Sequence, residues 1–534
     1  MAKIKGPEDV TVLIRFGGGL RSRAPADEIN DRECAAGQNY DMDLQNTQFR
    51  PRKPFERLGT APNGAEIRGF ASLLKPDNTV SMLVQAGSTV YEWDGNNFTS
   101  KGAVNASSRL RGHTWHNWQL DPAVVLITDI ELQDVVMQWD GTTLSDVAFT
   151  DEDDVSYTPF KAKYCLIQDE RAIFGNVVDK NATSLPHMMV GSKVSDYTNI
   201  TVANKPSSAL GEDDPFYLLT PDLRYINALL YAFDIIVTST MEGQIFRAVG
   251  ASAKDFAFKN LYPRSGVSGD ESMKYVGNDV YYGRQGRVES LASNDKFGNV
   301  EADDLSVDIT DIIEDYNNWI LTYNERTQRV YCYSQDTAEI WTIYKPLVPS
   351  EVSPWARFKT THSMSFNPTA IMNCYDPVDT LEYVYMGDAT GGLYRMEGTA
   401  GGDGGTNPIK TERLSKMVLI PEGAEAFNIS GWVRYRKIAP VTLELKFEFQ
   451  GDHIFTETIF VDLQQATGQS YYGGGSYYGG GSYYGSDFKK FAKEKIGIPG
   501  GSTEFQVRAI VTSVEDFAIS EIGFRFEVTT QTPA

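Results

Sequence analysis

The feature that most constrains this chain is a recurring hairpin. A short strand of alternating apolar and polar residues runs into a Gly, Asn or Asp turn and returns as a second alternating strand. The clearest pair is LVQAGSTVYEWDGNNFTSKG from Leu83 and VLITDIELQDVVMQWDGTTLSDV from Val125, whose Trp93-Asp94-Gly95 and Trp139-Asp140-Gly141 triplets stand 46 residues apart. Fainter copies begin at Cys165, Ile235, Asp279, Leu321 and Tyr383, which makes seven hairpins. Units of about 40 to 50 residues built from short strands predict a β-propeller, because each blade has too little apolar surface to be stable alone and buries its faces on its neighbours. We therefore expect an all-β chain with a propeller of about six or seven blades over residues 60–400. A string of β-sandwiches would give similar spacing and stays open at this point.

The two triplets have a mechanical reading. Asp-Gly supplies a turn with positive φ after a strand, and the Trp before it supplies a broad apolar face between sheets. Trp93, Asp94, Gly95, Trp139, Asp140 and Gly141 are thus expected as structural repeat turns rather than an active site.

Outside the propeller, residues 1–59 read as an N-terminal arm and first strands, and the segment GTAGGDGGTNP after residue 397 reads as a flexible boundary. Residues 401–534 carry long alternating strands from Ala426, Val441, His453, Thr503 and Ala518, which predict an antiparallel sandwich of about five or six strands. VTLELKFEF from Val441 reads as a long edge strand, tolerable if a neighbouring subunit covers it. Helix is expected only at LSVDITDIIEDYNNW from Leu305 and FKKFAKEKIG from Phe488. Within the sandwich lies a Tyr/Gly-rich loop, residues 470–486, with Tyr471, Tyr472, Tyr477, Tyr478, Tyr483 and Tyr484 in three near-identical copies. Paired tyrosines on mobile glycine offer amphipathic surface for an interaction loop, and a tolerated insertion at a hairpin tip would look the same.

Charge narrows the function. With 49 Lys and Arg against 71 Asp and Glu the net charge is -22, which disfavours general adhesion to phosphates or anionic membranes. Cys34, Cys165, Cys332 and Cys374 lie far apart with no CxxC pair, so neither a disulfide scaffold nor a zinc site is expected, and a reduced compartment is the simplest setting. No signal-peptide pattern and no run of about 18 apolar residues occurs, so a soluble chain that is not exported by the usual route is expected. The sequons at Asn97, Asn105, Asn181, Asn199 and Asn428 are accounted for by chance in a chain rich in Asn, Ser and Thr.

Local catalytic or metal signatures are weak. His113 and His116 form an HxxH spacing on a strand-like segment, without the glutamate of an HExxH helix. Asp151-Glu152-Asp153-Asp154 and Asp303-Asp304 lack the order of a calcium loop and read as solvated surface. Gly17-Gly18-Gly19 is followed by no GK[ST], so it reads as part of a flexible arm. No G-x-S-x-G elbow is present, so no nucleophile, cofactor or metal is assigned and no enzyme is expected.

An ordered series of segments carries a family resemblance: FGGGL from Phe16, RKPFERLGT ending at Thr60, IRGFASLL from Ile67, RAIFGN from Arg171, GSKVSDYTNI from Gly191, DIIVTSTMEGQIFRAVG from Asp234 and SPWARF from Ser353. It resembles the tail nozzle, or tail tubular protein B, of short-tailed bacteriophages and the related packaged-DNA stabilisation hub proteins. The resemblance implies a non-enzymatic virion component, assembled in the host cytoplasm as a homohexamer. It further implies contacts with portal and adaptor proteins and with tail fibres or other tail parts, and passage of DNA without sequence-specific binding. An acidic chain suits such a conduit if its acids face the lumen, since a negative wall repels the polyanion. A propeller carbohydrate-active enzyme or lectin is the alternative, with channel carboxylates and exposed aromatics meeting sugar.

Overall fold

The computed structural model describes residues 9–463 and 487–530, apart from single positions and short stretches of which the longest are 43–47, 116–122, 202–210 and 360–367. Among the described residues the alternating hairpins become seven four-stranded antiparallel blades, two of them joined into one eight-stranded sheet. Their innermost strands are Ile67–Leu74, Leu110–Trp115, Lys161–Gln168, Ile226–Ala232, Met273–Val276, Trp319–Asn324 and Pro368–Tyr375, numbered here as blades 1 to 7. Each inner strand lies beside the next, and that of blade 7 lies beside that of blade 1, so the sheets close a ring. Blades 1 and 2 also share one parallel pairing, Phe70 with Arg111. Every hairpin read from the sequence falls in a different blade. The chain is an all-β protein, a seven-bladed propeller followed by an antiparallel sandwich.

The ring is closed by the N-terminal part of the chain. Blade 7 runs out of strand after Gly392–Arg395, and Glu56–Thr60 supplies its outermost strand, pairing Thr60 with Gly392 and Glu56 with Arg395. Arg395 fixes that junction from both sides, 2.8 Å from Glu56 and 2.8 Å from Asp376. First and last blades are thus tied by hydrogen bonds, so opening the ring breaks a ladder as well as an apolar interface.

Apolar contact between blades explains why single blades do not alternate cleanly. The second strand of blade 2, Val124–Asp129, is buried along its whole length because it is sandwiched between two neighbouring sheets. Trp93 and Trp139 stand at equivalent places in blades 1 and 2 and wedge against the preceding blade. Trp93 meets Gly59 of the closing strand, and Trp139 donates its indole N–H to Ser81 of blade 1 at 3.0 Å.

The sandwich is larger than the sequence suggested. One sheet has the order Asp9–Ile14, Ala518–Thr530, Ala424–Arg436, Asp487–Gly497, and the other Ala36–Gln38, Ile409–Leu414, Ser502–Ser513, Val441–Gly451, Phe455–Leu463, with Val418–Leu419 also on Ser502–Ser513. The two pack through rings such as Phe447 and Phe524, whose centroids are 5.3 Å apart. Among the described residues ten strands replace the expected five or six, because the strands Asp9–Ile14 and Ala36–Gln38 and the stretch after residue 408 contribute their own. Two further expectations are corrected. Val441–Gly451 is no edge strand, since Phe455–Leu463 and Ser502–Ser513 flank it. The segment from Phe488 expected as a helix belongs to the strand Asp487–Gly497, because pairing with Ala424–Arg436 overrides a helix-favouring composition. At Leu305 onward only Val307–Ile309 and Thr310–Ile313 are helical.

A single apolar core runs from blade 6 through residues 14–55 into the sandwich, joining Trp319, Trp341 and Trp355 to Phe16, Tyr40 and Phe49 and on to Phe447 and Phe505. Gly18-Gly19 is therefore no flexible arm. Gly19 donates its N–H to Ser353 O at 2.8 Å, and Leu20 its own to Trp355 O at 2.7 Å. A β-carbon at Gly19 would stand 2.4 Å from Trp355 O, which is why glycine is required at that approach. The Gly-rich boundary is likewise anchored: Asp403 is fully buried against Arg52.

Candidate functional site at the propeller axis

Inner strands of a propeller bring their first residues together around the axis. Here charged groups stand at or beside the starts of the inner strands of blades 2, 3 and 5. Arg111, at the start of the blade 2 inner strand, reaches Glu271, just before the inner strand of blade 5, with Nη2 to Oε2 at 2.6 Å and Nε to Oε1 as the second arm of the fork. Blades 2 and 5 are not neighbours in the ring, so the pair crosses the axis. Nη1 of Arg111 also donates to the carbonyls of Leu110 at 2.7 Å and Arg68 at 3.2 Å. Glu271 itself has φ of +67°, a left-handed backbone that costs a non-glycine residue about 1–3 kcal/mol. Its carbonyl accepts Leu321 N–H at 3.1 Å, which helps to hold that conformation.

Other charged groups surround this pair. Arg109 Nη2 lies 3.8 Å from Glu271. Asp270 accepts the Tyr164 hydroxyl and lies 3.5 Å from Lys163 Nζ. Asp129 accepts the backbone N–H groups of Arg109, Glu131, Gln133 and Asp134, which organises the loop that presents Arg109. Burial alone would raise the Glu271 carboxyl, but Arg111, Arg109 and Lys274 together hold it below its ordinary value. Burial and the adjacent Arg111 lower Arg109. Burial, then Asp270, raises the Tyr164 phenol far above its ordinary value. Burial, then Lys274 and Arg111, lowers His113 to about 4. The arrangement is one of mutually satisfied carboxylates beside partly unsatisfied cations.

The residues singled out in the sequence lie elsewhere. Asp94 accepts the N–H groups of Asn96 at 2.8 Å and Asn97 at 2.6 Å, and Asp140 those of Thr142 and Thr143, each at 2.7 Å. Gly95 and Gly141 have φ of +97° and +91°. Each turn also touches the first hairpin loop of the preceding blade: Gly95 faces Val378 and Gly141 faces Lys75. Asp151 accepts the N–H groups of Asp153 and Val155, and Asp304 caps Ser306. Tyr471, Tyr472, Tyr477, Tyr478, Tyr483 and Tyr484 lie outside the described residues, as do His116, Glu152, Asp154 and Gly17. Among the described residues no group of three or more His, Cys, Asp or Glu is placed to hold a metal, and no helix is long and apolar enough to cross a membrane. All four cysteines are buried free thiols. Sequence reading missed Arg109, Arg111, Lys163, Asp270, Glu271 and Lys274. Their only local sign is charge at the head of strands that are otherwise apolar.

No protein-family model matches the chain, and no curated protein matches it. Solved structures similar to it include the computationally designed Ika8 protein, at 12% identity over 64% of this chain and 99% of that one, with a TM-score of 0.34. BBS1N in complex with ARL6DN is similar at 9% identity, over 66% of this chain and 99% of that one, with a TM-score of 0.41. The WD40 domain of Toxoplasma gondii coronin is similar at 10% identity, over 67% and 87%, with a TM-score of 0.40. The propeller assignment rests on the closed ring of seven sheets in this chain.

Proposed function

We propose that this protein is a non-enzymatic structural component of a phage tail, a nozzle or hub subunit that helps to retain the genome and then pass it during ejection. The observation that carries the reading is the single core running from blade 6 through residues 14–55 to the sandwich. A tail wall must transmit force between its parts without yielding. Fusing two β units through a buried segment suits that task better than a two-domain enzyme that opens and closes. The ordered segments that resemble tail nozzle proteins are what supports the assembly in this reading: a homohexamer in the virion, meeting portal and adaptor proteins and other tail parts, with DNA passing unread.

Electrostatics at the axis supports the non-enzymatic reading. A glycosidase needs two carboxylates about 5 to 9.5 Å apart and available for proton transfer or attack. Glu271 is clasped by Arg111 and Asp270 by Tyr164 and Lys163, so either would first have to abandon its partner.

Electron microscopy of the purified protein, alone and with portal and adaptor, tests the proposal. Sixfold rings with an axial opening and an acidic lumen are expected. Discrete monomers that cleave or retain polysaccharide, or a lumen lined by Lys and Arg, would overturn it.

A further inference from the structure

The turn between blades 3 and 4 displays apolar side chains to solvent. Leu219, which ends the outermost strand of blade 3, Phe216–Leu219, is exposed, as are Leu223 at 63% and Tyr225 at 58%. Leu223 has φ of +53°, a backbone region that a bulky residue seldom adopts. Its surroundings hold it there. Leu223 donates its N–H to Thr220 O at 3.0 Å and Thr220 its hydroxyl to Arg224 O at 3.1 Å, while Asp222 accepts the Arg224 N–H at 3.1 Å and the Thr240 hydroxyl of blade 4 at 2.7 Å. A strained residue fixed with its apolar side chain in water marks a contact surface rather than a packing element. The sandwich has an exposed apolar site of its own, at an edge. Phe455–Leu463 ends its sheet and pairs, among the described residues, only with Val441–Gly451, in unbroken register from Val441 with Leu463 to Phe449 with Phe455. The strand has neither Pro nor Lys, the usual guards of an open edge. Phe455 is exposed, and Phe460 is exposed at 67%.

We propose that, in a ring of identical copies, the edge Phe455–Leu463 of one copy packs against the turn Leu219–Tyr225 of the next, with Phe460 meeting Leu223 and Tyr225. Charge complements the apolar contact. The edge strand carries Glu457 and Asp462 and no cation, whereas the turn presents the exposed Arg224, its one acid, Asp222, being turned onto Thr240. The two surfaces differ, so the interface is head-to-tail, the kind that closes a ring, whereas edge against identical edge stops at two copies. The contact also covers an edge that would otherwise recruit stray strands. This inference rests on the ring of the proposed tail assembly and adds which faces of the copies meet.

Bis-maleimide cross-linking of the full chain tests this, since all four native cysteines are buried. The double variant Leu223→Cys with Phe460→Cys is expected to give a ladder of covalent oligomers, and each single variant none. Rings in which the double variant stays uncross-linked overturn this contact and leave the tail reading standing. Dimers from Phe460→Cys alone overturn it in favour of edge-to-edge pairing, and a wild-type chain that sediments as a single copy overturns both the contact and the ring. Sedimentation of Leu223→Lys and Phe460→Lys is a second measure, both positions being exposed. Each is expected to weaken association about tenfold or more, and Val378→Lys, also exposed but on blade 7, to leave it unchanged. Unchanged association in either of the first two, or equal loss in all three, refutes the contact.

Discussion

Arg52 and Asp403, 351 residues apart in the chain, form a two-armed ion pair that is wholly buried, with Nη1 to Oδ1 at 2.8 Å and Nη2 to Oδ2 at 2.5 Å. The remaining donors of Arg52 are also used, by Asn39 Oδ1 and by the carbonyls of Lys53 and Lys359, each at 3.0 Å, and its guanidinium lies 3.8 Å over the Phe55 ring. Asp403 additionally accepts Phe55 N–H at 3.0 Å. This one pair fastens the segment entering the propeller to the segment leaving it.

Breaking the pair from one side strands a buried charge. Asp403→Ala is expected to lose about 3–5 kcal/mol of stability, whereas an apolar double replacement such as Arg52→Met with Asp403→Leu recovers part of it. Urea denaturation of the two variants checks the order.

The repeat turns give a graded test. Both glycines have positive φ, and a β-carbon at either would meet a neighbouring blade at 2.5 Å, at Val378 Cγ2 for Gly95 and at Lys75 Cε for Gly141. The lysine chain can swing away more readily than a β-branched valine. Gly95→Ala should cost about 2–3 kcal/mol and Gly141→Ala about 1–2. Equal melting temperatures for the two variants would count against the blade contact.

Two groups tie stability to pH with opposite signs. His113 is lowered to about 4 by burial, Lys274 and Arg111, so between roughly pH 6.5 and 4 the unfolded chain binds more protons and stability falls as pH falls. Asp279 is raised to about 6, by burial first and against the pull of its own hydrogen bonds and Lys345. Between pH 6 and about 4 the folded chain binds that proton more readily, and stability rises as pH falls. Denaturation across this window should show a steeper acid loss in Asp279→Asn and a shallower one in His113→Gln.

Removal of residues 1–60 deletes the fourth strand of blade 7, the sandwich strands Asp9–Ile14 and Ala36–Gln38, and Arg52. The truncated chain should lose cooperative melting and aggregate through the open edge of Gly392–Arg395, as size-exclusion chromatography would report.

Local pattern carried the propeller. Each hairpin alternates because one strand face meets a neighbouring blade, and Asp-Gly turns follow from backbone sterics, so both leave a mark within about ten residues of sequence. The axis left almost none. Arg111 and Glu271 are 160 residues apart, and neither strand head differs in pattern from a solvated charge. The segment from Phe488 reads as a helix for the same reason: Lys, Ala and Glu favour a helix locally, and only the facing strand Ala424–Arg436 decides otherwise.

By itself the sequence determined an all-β chain, seven repeating hairpins, a second module and an acidic net charge, because these depend on period, turn chemistry and composition. Tertiary structure alone decided that residues 9–60 close the ring and complete the sandwich, that Gly19 and Asp403 are buried, and that cations and acids meet across the axis. Those outcomes depend on which distant groups become neighbours once water is excluded, and no local periodicity encodes that.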